Sequence, residues 1–154
     1  MACKKLIRYL DENNVKYITI THSQAFTAQQ VAASAHIKGK EMAKTVMIKI
    51  NGKMAMAVLP ANYHVDFHLL KEITGIEDVV LAHESEFKDL FDDCETGAMP
   101  PFGNLYGLDV YVAQSLKEDE EIAFNAGTHS ELIKMRYDDF ERLVKPKILK
   151  FSVH

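Results

Sequence analysis

AKTVMIKINGKMAMAVLP, running from Ala43 to Pro60, decides the fold. Two runs of strand-forming residues flank Asn51-Gly52, a pair that suits a two-residue hairpin turn because both positions need φ > 0. Such a turn fixes the register: Ile50 faces Lys53, Ile48 faces Ala55, Val46 faces Ala57 and Lys44 faces Leu59. Alternation along the strand then puts Lys44, Val46, Ile48 and Ile50 in one row, with Lys44 the single charge at the head of an apolar face. The ordinary reading of such a residue is a strand-end lysine whose stem lies on the core while the ammonium reaches water. Whether Lys44 is more than that depends on the rest of the chain.

The chain has 154 residues, 47% of them apolar and 26% charged, which predicts one domain spanning residues 1–154 with a core of its own. The formal net charge of −4 argues against holding nucleic acid by bulk positive charge, although five lysines (38, 40, 44, 49 and 53) cluster around the hairpin. The two cysteines, Cys3 and Cys94, are too few and too far apart for a zinc motif or a disulfide framework, and fit a reduced, cytoplasmic setting. The N-terminal MACKKLIRYLDENN has charges where a signal peptide needs an apolar segment, and no run approaches membrane-spanning length, so no membrane association is expected.

Residues 4–13 read as an amphipathic helix and Tyr17 to Thr21 as a strand. Thr27-Ala-Gln-Gln30 has capping-box spacing and opens a helix from Ala28 to Ala35. After the hairpin, Asp66 to Thr74 is a helix stopped by Gly75, Asp78 to Leu81 a strand, and Ser85 to Phe91 a helix offering Phe87, Leu90 and Phe91 to the core. Leu108 to Ala113 and Glu121 to Asn125 are strands joined by an acidic turn, Lys117 to Glu120. Leu132 to Met135 is a further strand, and Tyr137 to Val144 a closing helix capped near Asp138. Strands and helices mix without regular alternation, which predicts an α+β domain with a curved, mixed, largely antiparallel sheet and helices outside it.

Between these elements, CETGAMPPFG (94–103) cannot be regular: two prolines remove amide donors, and glycines bracket them. A stiff loop of this length suits holding backbone amides against a ligand carbonyl or phosphate, although it also suits a rigid connector. Gly127-Thr-His-Ser130 offers a hydroxyl and an imidazole, with no defensible triad order. His64 and His68 have i, i+4 spacing, but His64 precedes the N-cap Asp66 and no third ligand is evident, so no metal is expected.

Three segments together resemble one family. THSQAFTAQQVAASAHIKGKEMAKTVMIKINGKMAMAVLPA is similar to the opening of the YbaK/prolyl-tRNA-synthetase-associated editing domain. GAMPPFG resembles its glycine-x-x-x-proline loop, with Gly97 and Pro101 at the defining positions, and FNAGTHSELIKMRYDDFERL resembles its closing segment. The resemblance implies a bent mixed sheet and hydrolysis of the ester joining a wrongly attached amino acid to the terminal adenosine of a tRNA, usually that for proline, with neither metal nor cofactor. It makes Lys44 the essential residue and, with Gly97, the catalytic pair. Substrate contacts are expected from His22, Phe26, Thr27, Thr45, Met99, Pro100, Pro101, Phe102, Gly127 and His129, and tRNA contacts from Lys38, Lys40 and Lys53.

The chemistry agrees. An aminoacyl ester is already activated, so an enzyme need only orient water and stabilise the developing oxyanion. The implied partners are the acceptor end of a mischarged tRNA and prolyl-tRNA synthetase. The amino acid stays open: relatives that remove cysteine carry an aspartate where this chain has Leu132, and Gly127 to Ser130 does not match the alanine-removing pattern. A non-catalytic tRNA- or synthetase-binding module of the same fold is the rival, and hydrolysis of another small activated ester a third reading.

Overall fold

The structure, a computed structural model, describes residues 3–23, 27–35 and 37–154. In chain order its helices and strands are α1 (Lys4–Glu12), β1 (Tyr17–Thr21), α2 (Ala28–Ser34), β2 (Ala43–Ile50), β3 (Lys53–Pro60), β4 (His64–Val65), α3 (Phe67–Thr74), β5 (Val79–Leu81), α4 (Glu84–Phe87), β6 (Asp109–Ala113), β7 (Glu121–Asn125), β8 (Glu131–Arg136), α5 (Tyr137–Val144), β9 (Lys147–Leu149) and β10 (Ser152–Val153). The hairpin β2–β3 has the register expected from Asn51-Gly52, with Lys44 opposite Leu59 and Ile50 opposite Lys53. Both turn residues take the left-handed conformation, φ 52° and 77°, which matches the twist of the flanking strands.

That hairpin is the middle of a five-stranded sheet ordered β5-β2-β3-β6-β9. β5 and β3 run antiparallel to β2, whereas β6 and β9 add in parallel. A second, antiparallel sheet is ordered β1-β8-β7, and β10 pairs with β4 at the chain's end. The two larger sheets meet where Met42 bridges Ala123 just before β2. The expected single curved sheet is therefore divided, while the mixed, largely antiparallel α+β character holds.

β3 is buried from Ala55 to Pro60 because it is covered on both faces, which explains its unbroken apolar run. Met56 and Val58 join a core that includes Leu6, Leu10, Phe102, Phe124 and Phe140, while Ala55, Ala57 and Leu59 join a second with Ile48, Ile50, Leu70 and Phe151. A third, smaller cluster of Val31, Ala32, Met42, Ala61, Ala123 and Leu132 fills the junction between the sheets under α2.

Three local expectations change, and three short strands are added. The helix expected over 85–91 is a single α-turn, α4, followed by a 3-10 turn at Lys88–Leu90, and this rotation leaves Leu90 42% exposed while Phe87 and Phe91 stay buried. The acidic turn is a 3-10 segment, Gln114–Glu118, and it carries the chain from one sheet to the other instead of closing a hairpin. Helix α5 starts from Arg136 with no side-chain cap, and Asp138 lies in its first turn. Strands β4, β9 and β10 were too short to leave a periodic signal.

Candidate active site

Lys44 reaches its place because β2 delivers it to the rim of the second core, one pleat beyond Val46. Its Nζ donates to the carbonyl of Ala61 at 3.2 Å. Among the described residues it has no carboxylate partner, and burial alone pushes its pKa below the ordinary lysine value. It lines a small open cleft of about 120 Å³ together with Thr27, Ala28, Gln29, Ala61 and His64. Thr27 is fixed there by a complete capping box: its hydroxyl accepts from the Gln30 amide at 3.0 Å and its own amide donates to Gln30 Oε1 at 3.2 Å. A half-buried cation without an internal counterion is a group able to receive an anion, such as a phosphate or an oxyanion.

The loop at 94–103 forms a second group. The Gly127 amide donates to the Ala98 carbonyl at 3.0 Å, and the Glu95 amide donates to the Gly127 carbonyl at 2.7 Å. His129 Nε2 lies 2.9 Å from the Thr96 carbonyl, and a side chain on Gly97 would meet the His129 ring at 3.4 Å. Gly97 (φ 89°) and Gly127 (φ 99°) both occupy conformations that an L side chain resists. The Gly97 amide points at Met99 Sδ, 3.1 Å away, a weak acceptor that a carbonyl or oxyanion could displace.

Lys44 and Thr27 thus share the cleft, whereas Gly97, Met99, Gly127 and His129 share the loop seam. Among the described residues no hydrogen bond or ion pair joins Lys44 to that loop. The end of β1 lies beside the seam: the His22 amide donates to the Ser130 carbonyl at 2.9 Å, and the buried His22 Nε2 has no hydrogen-bond partner among the described residues. Phe26 lies outside the described residues.

Several expected contacts change role. Phe102 is fully buried, its ring packed against Tyr9, Phe124 and Phe140, so it anchors the loop from within the core and its ring offers no surface to a substrate. Pro100 and Pro101 are buried as well, which makes them stiffeners of the loop. Thr45 is on the opposite face of β2 from Lys44, in the row of Ala43 and Met47. Lys53 sits at the turn end of the hairpin, six residues along β3 from Leu59, which at about 3.4 Å per residue is about 20 Å from Lys44. It pairs loosely with Asp109 there, at the other end of the hairpin from the cleft. Lys38 and Lys40, by contrast, are exposed on the turn leading into β2, and that turn touches the cleft through the Gly39 carbonyl, which accepts from the Ala61 amide at 3.2 Å.

His64 is the residue whose place the sequence hid. Its spacing to His68 suggested only a metal pair, but α3 begins at Phe67, so the two share no helix face, and His68 pairs instead with Glu72. His64 faces the Lys44 cleft from β4. A two-residue strand that pairs only with β10, near the end of the chain, gives no local signal.

The model of the aminoacyl-tRNA editing domain matches residues 22–143. The chain belongs to that family. As an editing domain it is a hydrolase that acts on mischarged aminoacyl-tRNA. A curated relative from Escherichia coli K12, the multifunctional Ser/Thr-tRNA deacylase ProXp-y, is 26% identical over 153 residues, covering 96% of this chain and 91% of the relative. Among solved structures, a hypothetical protein superposes with a TM-score of 0.85 at 18% identity, over 97% of this chain and all of the other. A proposed trans-editing enzyme for prolyl-tRNA synthetase superposes with a TM-score of 0.82 at 15% identity, over 99% of this chain and 97% of the other. At those identities the superpositions establish the shared fold. Among the described residues, no helix is long and apolar enough to cross a membrane.

Proposed function

We propose that this chain is a trans-acting deacylase, with residues 1–154 as one editing domain, that removes a small amino acid from mischarged tRNA. Serine and threonine come first, with tRNA for proline as the first carrier to test. The observation that carries the reading is the Lys44 ammonium, half-buried in the cleft and, among the described residues, hydrogen-bonded to a backbone carbonyl and no carboxylate. The size of the cleft favours a small side chain, and Thr27, Gln29 and His64 give it groups able to hydrogen-bond a hydroxyl. The amino acids in the relative's name agree with that chemistry.

In this mechanism Lys44 exchanges its bond to Ala61 for the terminal phosphate or the reacting carbonyl, with charge stabilisation stronger than in water because the cleft is partly desolvated. The Gly97 amide, released from Met99 Sδ, is the proposed second donor to the developing oxyanion. Among the described residues no carboxylate lines the cleft as a general base, and the vicinal ribose hydroxyl of the terminal adenosine, which flanks the ester, can orient the attacking water. Lys38 and Lys40 contact the acceptor-end backbone, a limited patch on an acidic protein. Prolyl-tRNA synthetase is a candidate partner through the proline tRNA.

A deacylation panel that varies amino acid and tRNA separately tests this. Turnover confined to tRNA carrying serine, threonine or another small residue supports it. Tight tRNA binding without turnover on any charged species assigns the chain to a binding module, and equal hydrolysis of free aminoacyl esters without the tRNA body assigns it to another esterase class.

A further inference from the structure

Cys3 and Cys94, distant in sequence, are brought together beside Asp93 and Tyr106. Cys3 Sγ, Cys94 Sγ and an Asp93 oxygen all lie within 4.8 Å of one another. The Cys3 thiol donates to Asp93 Oδ2 at 2.8 Å, and the Tyr106 hydroxyl donates to Asp93 Oδ1 at 3.0 Å while lying 3.5 Å from Cys3 Sγ and 3.6 Å from Cys94 Sγ. The Lys5 ammonium sits 4.7 Å from the centre of the Tyr106 ring, adding positive charge nearby.

The position of the pair is as specific as its chemistry. Cys3 precedes α1, and its amide donates to the Ala126 carbonyl at 2.7 Å, while a side chain on Gly127 would strike Cys3 Cβ at 2.9 Å. Cys94 opens the 94–103 loop, one residue before Glu95 docks on Gly127. The two sulfurs therefore flank the seam where that loop, the β7–β8 turn and the start of α1 meet.

We propose that Cys3 and Cys94 are a reversible dithiol–disulfide pair, oxidised by a low-molecular-weight disulfide, whose bond fastens α1 to the head of the loop. Cys94, half-buried, is the sulfur such an oxidant meets, and Cys3, buried behind it, resolves the adduct. The hydrogen bond with Cys94 is the main reason the Cys3 pKa falls to about 7, and the same bond pushes Cys94 up, so the pair shares one proton more readily than two. When the proton the pair shares sits on Cys3, the Cys94 thiolate attacks one sulfur of the external disulfide, whose S–S bond breaks and whose departing thiolate takes up a proton to leave as a thiol, so that a mixed disulfide remains on Cys94. Cys3 thiolate then attacks Cys94 Sγ and expels the second thiol. Two thiols are oxidised and one disulfide is reduced to two thiols, which balances electrons and protons. A divalent metal held by the same atoms is less well served, since two of the three ligands are adjacent in sequence and a fourth would have to be Tyr106 or water.

The test incubates the intact protein in glutathione buffers of graded oxidised-to-reduced ratio, alkylates the remaining thiols and maps peptides by mass spectrometry. The expected result is paired loss of both thiols, a Cys3–Cys94 linked peptide, full reversal by dithiothreitol, and a thermal midpoint that rises on oxidation in wild type but not in Cys94→Ser. In Cys3→Ser the glutathione adduct should instead persist on Cys94. Wild-type protein that keeps both thiols at every ratio, that accumulates the Cys94 adduct without resolving it, or whose thiols are masked by stoichiometric zinc overturns the proposal. The wild-type readouts suffice even where Cys3→Ser folds poorly.

Discussion

Lys44 Nζ and the carbonyl of Ala61 are 3.2 Å apart across the head of the hairpin, and that carbonyl is the partner holding the ammonium at the cleft. The bond satisfies one of three ammonium donors and neutralises no charge. Burial disfavours the charged form of Lys44 and lowers its pKa. The unfolded chain then binds more protons than the folded one between the lowered pKa and about 10.4, so this group makes stability rise with pH in that window. Replacing Lys44 by Met should leave the thermal midpoint at neutral pH unchanged or higher and remove this alkaline rise. A midpoint lowered by many degrees would mean that the lysine has a structural partner after all.

Gly127→Ala should be costly out of proportion to one methyl group. At φ 99° the residue pays for a conformation that alanine resists, and the new Cβ meets Cys3 Cβ at 2.9 Å. A loss of about 1–3 kcal/mol in urea unfolding is expected, with faster hydrogen exchange at the Glu95 amide, whose acceptor is the Gly127 carbonyl.

Phe102 and Leu90 make a matched pair of tests. Phe102→Ala empties the centre of the main core and should cost about 3–5 kcal/mol. Leu90→Ala removes an exposed side chain and should stay within about 0.5 kcal/mol. Equal effects in equilibrium unfolding would contradict the placement of one of them.

These two residues also show what a single sequence can and cannot disclose. The hairpin, the Thr27 capping box and the Gly75 stop were legible because each is a local contract between neighbours: a turn pair, a cap and its reciprocal side chain, a left-handed terminus. Lys44 was legible as a misplaced charge in an apolar row for the same reason. Leu90 was misread because a shift from α to 3-10 geometry rotates a side chain away from the core, and nothing within the segment announces it. Phe102 is expected at the pocket only through the family resemblance of its loop; its burial comes from Phe124 and Phe140, far along the chain. His64 at the cleft and the Cys3–Cys94 pair both depend on contacts between distant segments, which spacing does not encode.

Asp119 should give the protein an acid-side pH signature. Burial pushes its pKa up to about 6; the nearby Lys40 opposes this, while Glu41 and Glu118 add to it. Between the unfolded value of about 3.9 and about 6 the folded state binds more protons, so this group's contribution falls as pH rises through that window and is fully adverse above it. Asp119→Asn should raise the thermal midpoint at pH 8 and leave it unchanged near pH 4. An equal shift at both would trace the effect to packing instead.

Salt dependence should sort the lysines. Removing Lys38 or Lys40 should weaken tRNA binding and reduce the slope of log affinity against log salt by about 1 each, as for one phosphate contact. Lys53→Ala, at the far end of the hairpin, should change neither. A loss of slope on replacing Lys53 would move the tRNA footprint to the other end of β2 and β3.

The most direct test of the account is single-turnover deacylation of Ser-tRNA and Thr-tRNA, on the tRNA for proline and on their own tRNAs, by wild type and by Lys44→Ala at matched folded concentration. The account predicts hydrolysis by wild type and a fall of several orders of magnitude in the variant, with an unchanged circular-dichroism spectrum and thermal midpoint. Wild-type rates in Lys44→Ala would contradict it.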